Sequence, residues 1–332
     1  MEDRATGMAV TGSGSASPRA SLDNHGLSQV VETSDEWIAT RTGIRSRHLA
    51  NPQESLSQLG AIAAQKALDM AQVEATEIDL ILLATSTPDD LFGSACQIQA
   101  ELRAKHAVAF DLTAACSGFI FGLVTAAQFI RTGAYRNVLL IGADVLSRWL
   151  DWTDRRSCVL FGDGAGAVVL QANECDRLLG FALHSDGTLN SCLNLSYQNQ
   201  PQPLTGEITV SQGTYQPVSM NGKEVYRFAV NRVPEVIEKA LFQANLQTED
   251  IDWLLLHQAN QRILDAVAKR LQIPAQKVIS NMAKYGNTSA ASIPIALDER
   301  IRQGHIKPGD TIAASGFGAG LSWGAAIFQW QR

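Results

Sequence analysis

The sequence has no C-x-x-C pair, and its five cysteines (Cys96, Cys116, Cys158, Cys175, Cys192) are odd in number. Neither a disulfide framework nor a thiolate zinc site is therefore expected. Its six histidines (His25, His48, His106, His184, His257, His305) show no H-x-x-x-H or H-E-x-x-H spacing, and no metal is predicted. A basic excess is lacking as well. The formal net charge of −6 gives no overall footprint for nucleic acid and leaves any anionic ligand to local arginines. No stretch reaches about 18 uninterrupted apolar residues, and Met1 to Val10 has no apolar run. Neither a membrane span nor a signal peptide is expected, so the chain is placed in the cytoplasm or a comparably reducing compartment. What is present is a globular chain of 332 residues, 45% hydrophobic and 18% charged, long enough for one large core or two fused domains.

The stretch Phe110-Asp111-Leu112-Thr113-Ala114-Ala115-Cys116-Ser117-Gly118-Phe119 reads as a short apolar strand or buried turn running into a helix. Ile120 to Ile130 is almost continuously apolar until Arg131-Thr132-Gly133 stops it. Cys116 then sits at a helix start, where unpaired N–H groups and the macrodipole favour a thiolate. A small buried hydrophobe among alanines is the other reading of the same residue.

An internal duplication puts Cys116 in context. Leu56 to Met70 has helical apolar spacing and is followed by the buried strand Ile78 to Thr85; Phe228 to Ala244 is followed in the same way by Ile251 to Gln258. Setting Ile78 on Ile251 places Ala84 opposite His257. Helices beginning at Cys116 and Asn287 then reach Gly133 and Gly304, 17 residues on in each case (133 − 116 and 304 − 287). Strands Asn137 to Ala143 and Thr311 to Ser315 follow, and a glycine-rich hairpin closes each half, Leu160 to Leu170 and Ser315 to Phe328. The pattern predicts two α/β halves, 1–175 and 176–332, related by a pseudo-twofold axis. Matching strand ends and helix starts would converge at the junction, bringing Cys116, His257 and Asn287 into one site.

The glycine-rich pieces lead into strands, whereas a dinucleotide fingerprint must open a helix, and neither has a P-loop ending. They are read as tight turns where backbone comes close to backbone or ligand. Near the N-terminus, Thr33-Ser34-Asp35-Glu36-Trp37-Ile38 begins a capped helix, with Arg41, Arg45 and Arg47 close to Trp37. An indole beside arginines is either a solvated basic face or a nucleotide site, the ring stacking on a base while guanidinium groups pair with phosphates. The polar segment 188–222 looks like an excursion that lines or covers a site.

Together these residues resemble the β-ketoacyl-acyl-carrier-protein synthase III family of thiolase-fold condensing enzymes, over about Val10 to Trp330. The carriers are Thr33 to Ile38 with Arg41-Thr42-Gly43-Ile44-Arg45, then Ala114-Ala115-Cys116-Ser117-Gly118, Phe161-Gly162-Asp163-Gly164-Ala165-Gly166, His257-Gln258-Ala259-Asn260 and Tyr285-Gly286-Asn287-Thr288-Ser289. The resemblance implies an α/β fold of five layers, α-β-α-β-α, and a decarboxylative condensation of a short acyl-CoA, expected to be acetyl-CoA, with malonyl-acyl-carrier protein that starts fatty acid synthesis. It further implies Cys116 as the acylated nucleophile. His257 and Asn287 become neutral donors to the enolate, and the backbone N–H groups of Cys116 and Ala319 the oxyanion hole. Trp37, Arg41, Thr42, Arg155 and Gly222 are implied to bind CoA, and Arg262 and Arg227 to dock the carrier protein. A homodimer is implied, with no cofactor beyond the two thioester substrates.

Two departures from the family pattern stand out. Gly318-Ala319-Gly320 replaces a triple glycine, so a positive φ at Ala319 would cost about 1 kcal/mol or more; and the chain is one residue shorter around Leu91 to Cys96, a segment that bounds the acyl pocket across the family's dimer interface. Other function classes compatible with the sequence are a polyketide or secondary-metabolite condensing enzyme, separated by assay with different primers, and a non-catalytic acyl- or nucleotide-binding protein, separated by iodoacetamide labelling of Cys116.

Overall fold

The structure, a computed structural model, describes residues 7–332. Strands β1 (Gly7–Ala16), β2 (Leu80–Ala84), β3 (Val108–Leu112), β4 (Asn137–Asp144) and β5 (Gly164–Asn173) form one five-stranded sheet. A second sheet contains β6 (Leu178–Ser185), β7 (Trp253–Leu256), β8 (Val278–Ile279), β9 (Thr311–Gly318) and β10 (Ser322–Gln329). Their orders are β1-β5-β4-β2-β3 and β6-β10-β9-β7-β8, so each strand has its counterpart five strands later. Directions match too: β2 is parallel to β3 and β4, β5 is antiparallel to β4 and β1, and the second sheet repeats this throughout.

The helices of eight residues or more are α1 (Asp35–Thr42), α2 (Leu56–Ala71), α3 (Ala95–Leu102), α4 (Gly118–Arg131), α5 (Gly222–Ala244), α6 (Gln261–Arg270) and α7 (Ser292–Arg302). Ser34 caps α1, accepting from Trp37 N at 3.1 Å. Helix α5 starts earlier than Phe228, because Asn221 caps a polar first turn whose Lys223 and Glu224 carry no apolar periodicity.

Even the left-handed residues recur in pairs: Gln72 with Asn245, Arg103 with Gln272, Ala115 with Ser289, and Gly133 with Gly304. These pairs correct the register at the helix starts. The short 3-10 turn Ala115–Ser117 corresponds to Ser289–Ala291, so the counterpart of Cys116 is Ala290 and Asn287 lies three residues before it. Counting back from the terminal glycines overshoots because α4 has 14 residues and α7 only 11.

Alternation along the strands sets the layers. Leu80 and Leu82 of β2 face a core shared with Leu255 of β7, Ile312 and Ala314 of β9, and the buried faces of α4 and α7. Ile81 and Leu83 turn the other way, onto α2 and α3. On the far side, Leu254 and Leu256 pack against α5 and α6. The result is α-β-α-β-α, with α4 and α7 as the middle layer; the continuous apolar run of β2 follows from having both faces covered.

A buried polar node joins the halves. Asp298 on α7, 1% exposed, accepts from Ser13 Oγ (2.9 Å) and Ser15 Oγ (2.6 Å) of β1 and from Arg302 Nε (2.8 Å). Asp298→Ala would leave a buried hydroxyl, a half-buried one and the Arg302 Nε–H without this acceptor, and a loss on the order of 3 kcal/mol is expected. Urea unfolding monitored by circular dichroism would show the midpoint falling with an unchanged m-value.

Candidate active site

The two 3-10 turns cross at the junction, each resting on the central strand of the opposite half. A Cβ on Gly142 of β4 would stand 2.4 Å from Ala290 O, and one on Gly316 of β9 would stand 3.0 Å from Ser117 Cα and 3.1 Å from Cys116 O. Only glycine permits so close an approach. Ala115 and Ser289 enter the turns at φ 46° and 51°, a left-handed conformation that costs a residue with a Cβ about 1–2 kcal/mol.

Cys116 is therefore in the turn before α4 rather than inside it, and it is 7% exposed. Burial pushes its thiol up to about 12; the Ser289 hydroxyl, 3.3 Å from Sγ, opposes this, and the nearby Asp144 charge reinforces it. The thiolate expected from the helix start is thus outweighed by desolvation, and the resting group is a thiol.

His257 follows β7 and is 1% exposed. Its backbone N–H donates to Ser315 O at 2.8 Å, and its ring meets Phe317 edge-on at 5.3 Å. Burial lowers its pKa to about 3, so the imidazole is neutral. Nδ1 lies 2.7 Å from Ser292 Oγ, which also accepts from Gln258 N at 3.3 Å. Assigning the serine hydrogen to Nδ1 puts the imidazole proton on Nε2, the tautomer in which Nε2 is a donor. Asn287 is oriented in a similar way. Its backbone exchanges 2.9 Å bonds with Leu160 O and Gly162 N, and its Oδ1 accepts from Ser289 N at 2.9 Å, leaving the Nδ2 hydrogens as free donors.

Cys116, His257, Asn287 and Phe317 line one cavity of ≈ 380 Å³, whose walls continue through Gly222, Tyr226 and Arg262. Cys116 also lines a second cavity of ≈ 890 Å³, with Leu112, Phe121, Leu146, Trp149 and Val218 on its walls. The sulfur stands on the partition between the two. Segment 188–222 lines both cavities, through Leu193 in each, Leu195 and Tyr215 in the larger and Met220 in the smaller. The amides of Cys116 and Ala319 make no backbone hydrogen bond among the described residues, and both residues border the larger cavity.

Ala319 does not have the positive φ feared for it. Strain falls instead on Gly320, at φ 125°, and close approach on Gly318, where a Cβ would lie 2.6 Å from Cys116 N. The outer glycines are the constrained ones, and the middle position tolerates a methyl group.

Of the other expected ligand residues, Trp37 carries two guanidinium groups over its ring, Arg41 at 4.6 Å and Arg155 at 5.2 Å. Arg155 is also held by Glu32 O at 3.1 Å. Thr42 is not displayed: it is 4% exposed, and its hydroxyl donates to Ile38 O and accepts from Ile44 N at the end of α1. Arg262 leans over Tyr226 at 5.6 Å on the wall of the smaller cavity. Arg227 lies apart from that cavity, paired with Glu224 at 2.5 Å.

Sequence reasoning missed Ser292 and Asp144. The signal for Asp144 was a carboxylate closing the apolar strand Asn137 to Asp144; Ser292 had no local signal. In the His257-Gln258-Ala259-Asn260 motif, Gln258 ties β7 to β8 through Leu256 O and Ile279 O. Asn260 caps α6 and donates to Arg41 O at 3.0 Å, linking α6 to α1.

The glycine geometry makes a direct prediction. If Cys116 is the acyl acceptor that the resemblance implies, Gly318→Ala should displace its turn and slow its acylation on the order of 10²-fold, the scale of a lost oxyanion donor. Ala319→Gly should leave the rate within about threefold, since nothing at that position depends on the methyl group or forbids it. Mass spectrometry of the intact chain after timed exposure to acetyl-CoA measures both.

The chain is similar to known proteins over nearly its whole length. The sequence models of 3-oxoacyl-[acyl-carrier-protein] synthase III and of its C-terminal part match residues 110–187 and 241–330. The β-ketoacyl-[acyl-carrier-protein] synthase III of Acaryochloris marina is 82% identical over 332 residues, covering 100% of each chain. That of Trichormus variabilis is 73% identical and covers 98% of this chain and 99% of its own. Among solved structures, 3-oxoacyl-[acyl-carrier-protein] synthase III from Aquifex aeolicus superposes with a TM-score of 0.90 at 43% identity, covering 98% of this chain and 100% of that one. The priming β-ketosynthase of the R1128 polyketide pathway does so with 0.89 at 34% identity, covering 98% and 96%. With near-complete coverage at such identity, the chain belongs to the β-ketoacyl-[acyl-carrier-protein] synthase III family.

Proposed function

We propose that this chain condenses a short acyl-CoA with malonyl-acyl-carrier protein, releasing carbon dioxide and CoA and giving the 3-oxoacyl-carrier protein that starts fatty acid synthesis. The observation that carries the reading is the position of Cys116 on the partition between two cavities, with His257 and Asn287 on the wall of the smaller. In the first half-reaction Cys116 attacks the acyl-CoA thioester, and the oxyanion is received by the N–H groups of Cys116 and Ala319. The acyl chain then occupies the larger, apolar cavity. In the second, malonyl thioester enters the smaller cavity and loses carbon dioxide. Negative charge develops on its carbonyl oxygen, which His257 Nε2–H and Asn287 Nδ2–H receive as neutral donors in a dry site, and the enolate carbon attacks the acyl-cysteine. The reading needs no cofactor, since both thioesters are substrates.

Trp37 with Arg41 and Arg155 is the proposed nucleotide end of the CoA site, with Gly222 along the passage. Arg155 must swing off the indole to let an adenine stack, because the guanidinium now occupies one face. Arg262, at the mouth, suits an acidic carrier protein, and Arg227 suits its periphery. A homodimer through β3 is proposed because this edge strand leaves Val108 49% and Phe110 39% exposed, an apolar edge that calls for a partner. The duplicated halves, 1–175 and 176–332, are read as the repeat units. No helix is long and apolar enough to cross a membrane among the described residues, in keeping with a cytoplasmic enzyme. A second reading, priming of polyketide synthesis, is favoured by the likeness to the R1128 ketosynthase; competition between fatty-acid and polyketide carrier proteins decides between them.

His257→Ala should still accept an acyl group on Cys116 but release carbon dioxide from malonyl-carrier protein on the order of 10²–10³-fold more slowly. Parallel loss of both activities would instead make His257 the base for Cys116. For the CoA site, Trp37→Ala and Arg155→Ala should each raise KM for acyl-CoA without changing affinity for the carrier protein; unchanged acyl-CoA kinetics in both would place the nucleotide elsewhere.

A further inference from the structure

Ser289 closes the Tyr285-Gly286-Asn287-Thr288-Ser289 motif, and two groups of the site meet on it. Its backbone N–H donates to Asn287 Oδ1 at 2.9 Å, and its hydroxyl donates to Cys116 Sγ at 3.3 Å. At 3% exposure the residue is buried beside the sulfur.

The duplication shows that the turn does not need this hydroxyl. The equivalent position in the first half is Ala115, with φ 46° against 51° at Ser289 and no polar side chain. A methyl group is therefore enough to build such a turn, and the oxygen is added only in the half that faces the nucleophile. Cys116 in its turn has Ala290 as counterpart. Donor and sulfur both depart from the symmetry, and they are bonded to each other.

Asp144, at the end of β4, is supplied from elsewhere. Its buried carboxylate accepts from Ser86 N (2.9 Å), Thr85 Oγ1 (3.2 Å), Thr87 Oγ1 (2.9 Å) and Ala290 N (3.1 Å), and Ser289 Oγ is bonded to the sulfur instead. Burial chiefly, and the Asp144 charge in addition, raise the Cys116 thiol, whereas the Ser289 hydroxyl and the Cys116 amide pull the other way. The remaining elements packed on the Cys116 turn bring no further charge to it. Strands β9 and β10 and the turn Ser289–Ala291 carry none, and the single charge of α4, Arg131 at its far end, pairs with Asp176. On β3, Asp111 is turned to Ser94 N and Ala95 N. His257, on the wall of the smaller cavity, is kept neutral by burial.

We infer that Ser289 is a further catalytic residue, whose hydroxyl holds the Cys116 sulfur in its thiolate form as acyl groups arrive and leave. When the thiol gives its proton to water, the contact becomes a charge-assisted O–H···S⁻ bond. Sγ then bonds to the acyl carbonyl carbon, the bond from that carbon to the CoA sulfur breaks, and the CoA sulfur leaves with the electron pair and takes a proton from water. In condensation the same hydroxyl receives Sγ again, because the enolate carbon displaces it from the acyl-cysteine as a thiolate, which then regains its proton from water. Loss of carbon dioxide does not involve the sulfur. Ser289 serves that step only through its backbone N–H on Asn287. The inference rests on Cys116 being the acyl acceptor.

Two substitutions remove the hydroxyl and keep the N–H: Ser289→Ala copies Ala115, and Ser289→Gly relieves the left-handed φ. Alkylation of Cys116 by iodoacetamide and its acylation by acetyl-CoA are each followed by mass spectrometry of the Cys116 peptide, from about pH 6 to pH 9.5. In both variants the two rates should slow by the same factor, on the order of tenfold, the scale of a lost hydrogen bond to a charged group. The rate profiles should keep their rise with pH but lie about one unit higher on the pH scale, since a thiol that has lost a donor to its anion ionises later. KM for acetyl-CoA should be unchanged, and carbon dioxide release from malonyl-carrier protein supplied alone should fall much less than acylation.

Unchanged alkylation in both variants would overturn the inference. Slower acylation with unchanged alkylation would do so too, by placing the hydroxyl on the thioester rather than on the sulfur. A parallel loss of carbon dioxide release, or opposite effects of alanine and glycine, would make Ser289 a prop for the crossing turns and nothing more. Should one variant fail to fold, the other decides alone. Alkylation needs no acyl-CoA, so a wild type that is alkylated at Cys116 but never acylated there would overturn the proposed reaction separately.

Discussion

The crossing of two backbone turns over two glycines is the constraint on which the rest depends. With a side chain at Gly142 or Gly316, the turns could not lie against the opposite sheet, and the thiol, the imidazole and the carboxamide would have no common wall. Cys116 comes from the first half, and Asn287 and His257 from the second. Each half supplies the floor for the other's turn, so the site has no existence in either half alone. The left-handed residues Ala115 and Ser289, at equivalent positions, show that local strain is accepted twice to achieve this.

Burial has consequences of both signs at this junction. It neutralises His257 and raises the Cys116 thiol, yet it also gives neutral donors their strength, because charge is felt more strongly in a low-dielectric surrounding. The surrounding polar groups are accordingly tied down. Gln258 bonds to two carbonyls, Asn287 is fixed by Ser289 N, and Arg47 donates to Leu22 O, Asn24 Oδ1 and Val159 O behind the Cys158 to Gly162 loop. Burial lowers even that guanidinium to about 10, against the opposing pull of Cys158 and the Asp23 charge.

Most of the fold was legible because the duplication repeats strong, local signals: apolar strands, capped helices and terminal glycines. The convergence of Cys116, His257 and Asn287 followed from pairing the halves, even though the pairing at the helix starts was off by three residues, a difference hidden inside α7. The state of the thiol was not legible, since helix position can be read from spacing but desolvation depends on what folds over it. The motif placed Thr42 among the CoA contacts without revealing that its hydroxyl closes its own helix. At Ala319 the sequence exposed a departure without telling which of three adjacent positions bears the conformational demand. Ser292 and Asp144 meet the site through contacts spanning 35 and 146 residues, beyond the reach of periodicity.

The middle helical layer has a consequence for how the chain unfolds. Helices α4 and α7 contribute to a single core that draws on strands of both sheets, so separating the halves would strip both helices of half their apolar cover. A repeat built this way is duplicated in sequence but indivisible in folding. The two repeats meet between β5 and β6, yet with their core shared in this way the expectation is melting in one cooperative transition.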